Sequence, residues 1–330
     1  MNVLVLGGTG AMGVHLVKLL ESNGDDVCVT SRSRRESEGN VRYLRGDAHK
    51  RDFIKSVLNE KWDAIVDFMN YSTTNFESNI DLLLNASSHY IYLSSARVYA
   101  DSQIPISEDS PRLLDISQDT DFLRSDEYSL AKARQENYLL NSVQKNWTIV
   151  RPYITYGPDR LQLGIFEKEE WLYRALHGRT IVFSEDIGSK MTTLTSGYDV
   201  SRAISAVLGN PKAMGDILNT TSSKAFAWSE ILNVYLDVLE EHLGYRPKVE
   251  CLNRESFQTL SRSKYKLLYD RLYDRAFDNK KVNRYINVSS FAGMDEGLKA
   301  CLRDFLENPN FKKIDWKREA RADRIAACLL

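Results

Sequence analysis

Short apolar runs recur along the first half of the chain, each set between a turn and a stretch of helical periodicity. The first, Val3-Leu4-Val5-Leu6, is continuous rather than alternating, which predicts a strand buried on both faces of a parallel sheet. Gly7, Gly10 and Gly13 then turn the chain into a helix predicted over 12–22. Asn23-Gly24 ends that helix, and Val27-Cys28-Val29 follows as a second strand. Further strands are predicted at 41–44, 64–68, 90–93 and 147–150, with helices at 52–59, 75–85 and 128–143 between them. The polar stretch 100–126 reads as loop. Beyond residue 153 the pattern loosens into helices at 165–177, 199–208, 228–243 and 295–306, short strands at 180–183 and 217–219, and a charged tail around Trp316-Lys317-Arg318. Strands alternating with helices predict an α/β fold with a doubly wound parallel sheet over residues 1–153. Residues of about 190–212 are expected to return to it, and the rest of 154–330 to form a smaller C-terminal α/β domain.

The strand, glycine turn, helix and second strand together make a unit of Rossmann type that holds a dinucleotide pyrophosphate. Gly7 and Gly10 let backbone approach phosphate, and the helix N-terminus, with Thr9, Ala11, Met12 and Gly13 around it, supplies unpaired N–H donors and a favourable dipole. The end of the second strand sets the cofactor's flavour. An NAD site usually carries an acid there for the ribose 2′-hydroxyl, whereas this chain reads Thr30-Ser31-Arg32-Ser33-Arg34-Arg35. Ser31, Arg32 and Arg35 suit a 2′-phosphate, so NADP is expected, with NAD still open. Ligands of such sheets bind beyond the carboxyl ends of strands, which adds Asp47 and Ala48 near the adenine, then Phe68, Met69, Asn70, Pro152 and Ile154.

Tyr128-Ser129-Leu130-Ala131-Lys132 opens the helix after the polar stretch. A tyrosine and a lysine four apart share one helix face, and an ammonium beside a phenol stabilises the phenolate. The pair can work as a general acid or base, with the hydroxyl of Ser95, at the end of a sheet strand, as third member. The tyrosines at 265, 269 and 273 repeat at helical spacing and are expected to pack rather than bind.

Composition narrows the field. With 330 residues, 43% hydrophobic and 27% charged, the chain suits one large or two closely packed globular domains. A net charge of −1 gives no bulk attraction to nucleic acid or an anionic membrane. Cys28, Cys251, Cys301 and Cys328 are scattered without a CxxC pair, so neither a disulfide framework nor a metal site is expected. No apolar run nears the roughly 20 residues that span a bilayer. A cytoplasmic protein is expected.

These motifs resemble the short-chain dehydrogenase/reductase superfamily in its extended, nucleotide-sugar epimerase/dehydratase-like branch. The likeness rests on Gly7-x-x-Gly10-x-x-Gly13, Leu93-Ser94-Ser95-x-x-Val98-Tyr99, Tyr128-x-x-x-Lys132, Arg151-Pro152-x-x-x-Tyr156-Gly157-Pro158 and the late Glu296-Gly297-Leu298. It implies that Tyr128 is the acid/base, that Lys132 holds the nicotinamide ribose and lowers the Tyr128 pKa, and that Ser95 orients the substrate. The implied reaction is epimerisation, reduction or dehydration of a nucleotide sugar or related carbinol, by a monomer or homodimer. Asn146-Trp147-Thr148-Ile149-Val150-Arg151-Pro152, Glu169-Glu170-Trp171, Gly178-Arg179 and Lys317-Arg318-Glu319-Ala320 are similar to an atypical branch that includes chloroplast stem-loop RNA-binding proteins. Some of those cleave RNA and have lost the catalytic tyrosine. This chain keeps Tyr128 and Lys132, which favours redox chemistry over the alternatives of an RNA-binding or RNA-cleaving protein, or a non-catalytic NAD(P)-binding regulator, on the same fold. The chain departs from the sugar-nucleotide pattern at Ile154-Thr155 and at Met191-Thr192-Thr193, where an arginine for the pyrophosphate is common. No acid stands beside Ser95, where Ala96-Arg97 follow, and this places dehydration last.

Overall fold

The computed structural model describes residues 1–328. Seven parallel strands form one sheet: β1 (Asn2–Leu6), β2 (Asp26–Ser31), β3 (Val41–Arg45), β4 (Trp62–Asp67), β5 (Ser87–Leu93), β6 (Trp147–Arg151) and β7 (Ile217–Asn219). Their spatial order is β3-β2-β1-β4-β5-β6-β7, so the direction of winding reverses between β1 and β4. That reversal opens a crevice at the carboxyl ends of the strands, the position where such sheets bind ligands. Val3 and Val5 face one layer, and Leu4 and Leu6 the other. All four are fully buried, which is why the run is continuous rather than alternating.

Helix α1 (Gly13–Ser22) covers the first face together with α4 (Gly197–Val207), through Leu16, Val17 and Leu20 against Val200, Ile204 and Val207. Helices α2 (Thr73–Asn85) and α3 (Tyr128–Asn141) cover the other, through Phe76, Ile80, Leu83 and Leu139. Thus α4 and β7, which come late in the chain, complete the N-terminal sheet.

The remaining C-terminal residues gather around a second core that includes Trp171, Tyr235, Leu239, Leu298 and Phe305. The helix Trp228–Leu243 runs through it and stops at Gly244, whose φ of +76° an L side chain would resist. Two expectations need correction here. The polar stretch 100–126 contains the short helices Leu113–Ile116 and Thr120–Arg124, which at four and five residues have no periodicity to read. The charged tail is also helical, over Trp316–Cys328. Its Glu319 is buried against Arg174 at 2.9 Å and Arg179 at 2.7 Å, so these charges dock the helix instead of solvating a tail. No helix among the described residues is long and apolar enough to cross a membrane, and no metal-binding cluster occurs among them.

Candidate active site

The crevice is built from the ends of strands. At the end of β1, Gly7 adopts a φ of +69°, and its N–H donates to Thr30 Oγ1 at 3.0 Å. Gly13 lets α1 touch the turn: a Cβ there would lie 2.6 Å from the backbone of Gly8. Gly10 differs from both. A Cβ at Gly10 would approach nothing nearer than the Gly7 carbonyl at 3.9 Å, so the protein's own packing does not require a glycine there. Among the described residues, the N–H groups of Ala11, Met12 and Gly13 have no hydrogen-bond acceptor, and Met12 offers no side-chain cap. An open glycine beside a fan of unengaged donors at a helix N-terminus fits a pyrophosphate.

At the end of β5 the chain leaves the sheet as Ser94-Ser95. Ser95 Oγ accepts from the Arg97 N–H at 3.2 Å and so caps the short turn Ala96–Val98. Tyr128 opens α3 and is half-buried, its ring 5.1 Å from the Arg97 guanidinium carbon. One turn on, Lys132 is buried. Its Nζ donates to the Leu93 carbonyl at 2.7 Å and the Met69 carbonyl at 3.2 Å, and lies 4.6 Å from the centre of the Tyr92 ring. Burial pushes the ammonium down to about 8, against the pull of the Asp67 and Glu136 carboxylates.

Ser95, Tyr128 and Lys132 line one cavity of about 290 Å³, together with Met12, Phe68, Met69, Asn70, Pro152 and Ile154. The other predicted cofactor residues lie outside its lining. Gly7, Thr9, Gly10, Ala11 and Gly13 form the β1–α1 turn, Ser31, Arg32 and Arg35 leave the end of β2, and Asp47 and Ala48 follow β3. Ser31 Oγ accepts from the Ser33 N–H at 3.2 Å, and the arginines beyond it are exposed. Asp47 Oδ1 accepts from the His49 N–H at 3.1 Å. The same ring's Nε2 lies 3.2 Å from the Asn70 carbonyl, so His49 ties the β3 and β4 loops together. Sequence reasoning missed the rest of the cavity lining, notably Arg97, Arg160, Glu167, Lys266 and Arg271. A larger concavity of about 820 Å³ lies between α2 and α3, around Tyr138 and Val143, and includes none of the predicted residues.

A family model described as NAD dependent epimerase/dehydratase family matches residues 3–220, two thirds of the chain. The chain belongs to that family. Among curated relatives, the chloroplast stem-loop binding protein of 41 kDa b of Arabidopsis thaliana is 29% identical over 240 residues, covering 68% of this chain and 59% of that protein. A UDP-glucose 4-epimerase of Lactobacillus helveticus is 29% identical over 134 residues, covering 34% of this chain and 41% of that protein. The chain therefore spans less than two thirds of the length of either. Among solved structures, the Bordetella bronchiseptica enzyme WbmH in complex with NAD⁺ superposes with a TM-score of 0.71 at 16% identity, over 94% of this chain and 99% of that one. A UDP-glucuronic acid 4-epimerase of Bacillus cereus, in complex with UDP-glucuronic acid and NAD, gives 0.69 at 18%, over 93% and 99%. At such identities the likeness is one of fold. Within this epimerase/dehydratase family member, the matched region contains the glycine turn, Ser95, Tyr128 and Lys132, whereas Lys266 and Arg271 lie beyond it.

Proposed function

We propose that this chain is an NAD(P)-dependent enzyme that epimerises or reduces a nucleotide sugar or a related carbinol or carbonyl. Residues 1–153, with about 190–212, would hold the dinucleotide, and the remainder would hold the substrate. The observation that supports this reading is the meeting of Ser95, Tyr128 and Lys132 on one cavity next to a glycine turn with unengaged N–H donors. When bound, the dinucleotide supplies hydride chemistry at its nicotinamide ring. Tyr128 Oη takes the proton of the substrate hydroxyl, Ser95 Oγ holds that oxygen, and Lys132 reaches the cofactor ribose from its buried seat. Epimerisation requires the sugar to turn over in the cavity before Tyr128 returns the proton. Arg32 and Arg35, with no acid at Ser31, favour NADP over NAD. The test is turnover of a panel of UDP- and dTDP-hexoses with each cofactor, read by NMR and mass spectrometry. At least one sugar should be converted, and Tyr128→Phe should slow that conversion by about 10²–10⁴-fold. An unslowed Tyr128→Phe variant would defeat the assignment.

A second reading, RNA binding on the same fold, is favoured by the name of the Arabidopsis relative. Arg32, Arg34 and Arg35 are exposed, as are Lys312, Lys313, Lys317 and Arg324, whereas Arg318 is spent on Glu170 and Arg321 on the Thr259 carbonyl, and the net charge of −1 gives no bulk attraction to RNA. Binding to a stem-loop RNA should therefore be weak at physiological salt and fall steeply as salt rises. Submicromolar binding there, with no competition from NADPH, would turn the assignment to RNA.

A further inference from the structure

The cavity that holds Tyr128 carries a cluster of cations on its wall. Arg97, Arg160, Lys266 and Arg271 line it there, and Glu167 is the one carboxylate among the described lining residues. Two of these cations are accounted for within the fold. Arg271 pairs with Asp270 and donates to the Gly164 carbonyl at 2.9 Å, and Arg97 reaches Glu127 at 2.8 Å and Asp270 at 3.2 Å. Asp270 also faces Arg275 at 3.4 Å, so one buried carboxylate serves three guanidinium groups and the cluster stays positive.

The other two cations are less well compensated. Arg160 donates to Thr155 Oγ1 at 2.9 Å and forms no ion pair among the described residues. Lys266 Nζ donates to the Ile165 carbonyl at 3.0 Å, and its nearest carboxylate oxygen, Glu167 Oε1, stands off at 3.9 Å. The side chain is only 19% exposed and stands where the cavity meets a second one of about 230 Å³. Burial, then the Arg271 charge, push the Lys266 ammonium down to about 7. Arg97 adds to that, and Glu167 and Asp270 oppose it, while Arg262, Arg318 and Glu170 line the adjoining cavity. A largely buried ammonium whose facing carboxylate stands off at 3.9 Å is poorly compensated, and an incoming anion offsets that cost.

We propose that Lys266, Arg160 and Arg97 form a site for an acidic group of the substrate, a phosphate or a carboxylate, beside the Tyr128 ring. This deepens the nucleotide-sugar reading and rests on it. The bound anion restores the Lys266 proton, so binding takes up a proton near neutral pH. Well below pH 7 the lysine is already charged and the uptake fades.

Calorimetry on the full chain with saturating NADP⁺ present, at pH 7.5 in two buffers of different ionisation enthalpy, reads that proton directly. The probes are UDP-glucose, UDP-glucuronate, D-glucuronate and sulfate. Uptake with both nucleotide sugars assigns the site to the diphosphate, and uptake with UDP-glucuronate alone assigns it to the carboxylate. In either case Lys266→Met should abolish the uptake and weaken binding at least tenfold. Lys266→Arg should keep most of the affinity but show no uptake, because a guanidinium never gives up its proton here. Lys266-dependent uptake with sulfate or D-glucuronate, and no binding of nucleotide sugars, would keep the anion site and defeat the nucleotide-sugar reading. Nucleotide-sugar binding without uptake, and unchanged within twofold by Lys266→Met, would overturn the anion site and leave that reading standing. Failure of every probe to bind would overturn both.

Discussion

Replacing Glu136 by glutamine removes one charge from a place where several side chains depend on it. Glu136 is fully buried one turn beyond Lys132, and it accepts from Arg151 Nε at 2.8 Å and Nη2 at 2.7 Å, from Arg112 Nη1 at 3.2 Å and from Ser94 Oγ at 2.5 Å. Arg151 is just as buried, and its other partners, the Tyr99 hydroxyl at 2.7 Å and the Glu108 carbonyl at 3.3 Å, carry no full charge. Glutamine would turn an NH₂ group toward these donors and leave a buried guanidinium without a counter-ion, a cost of about 3–5 kcal/mol. Arg112 keeps its pair with Asp115 and adds little. Despite the burial, Arg151 and Arg112 together hold the Glu136 carboxyl below the usual carboxylate range. A carboxyl lowered in this way stabilises the fold fully above its unfolded pKa of about 4.3, and less as pH falls toward its folded value. The variant's deficit should therefore be level from pH 6 to 8 and smaller by up to about 1 kcal/mol at pH 3.5. Urea unfolding followed by circular dichroism at these pH values measures it. Glu136→Leu combined with Arg151→Met should recover most of the loss, since an apolar pair needs no partner. A deficit under about 1 kcal/mol at pH 7, or one that is no smaller at pH 3.5, would refute the ion-pair account.

Tyr128→Phe should leave the unfolding midpoint and cofactor affinity nearly unchanged while turnover collapses, which fluorescence titration and product analysis will separate. Wild-type protein should bind NADPH at least several-fold more tightly than NADH, about 1 kcal/mol, and Arg32→Ala should erase most of that gap. Equal dissociation constants in the wild type would sink the NADP preference. Gly13→Ala puts a methyl group 2.6 Å from the Gly8 backbone and should cost about 1–3 kcal/mol of stability as well as cofactor affinity. Unimpaired NAD(P)H binding by that variant would show that the close contact is dispensable.

The parts of the fold that repeat a simple period were legible in the chain. Continuous apolar runs announced the sheet because both its faces are covered, and the glycine turn was legible because backbone geometry leaves few residues that fit. The helix Trp316–Cys328 was obscured because it docks through a buried glutamate and small alanines, Ala322 and Ala326, so its apolar face is faint. The tyrosines at 265 and 269 do pack, against Phe122 at 4.8 and 4.5 Å between ring centres. Ser95, Tyr128 and Lys132 stand out in the sequence because two of them sit on one helix turn and the third ends a strand, and the fold brings them to one cavity. Arg97, Arg160, Lys266 and Arg271 come from separate segments, each lost among other basic residues. Only the folded chain shows which of them lack an acid.

The late return of α4 and β7 to the first sheet has a consequence during biosynthesis. When Arg151 leaves the ribosome, β6 has no outer neighbour, and the face carrying Val3, Val5, Leu16 and Leu20 lacks Val200, Ile204 and Leu218. About 66 further residues must follow before β7 emerges, roughly 3–13 s at ~5–20 residues per second. Throughout that interval the nascent chain presents an apolar slab and an open strand edge, the combination that invites chaperones or aggregation. A fragment stopped at residue 153 would keep that surface permanently, so a first half expressed alone, or exchanged with that of a relative, should aggregate unless residues 197–219 move along with it.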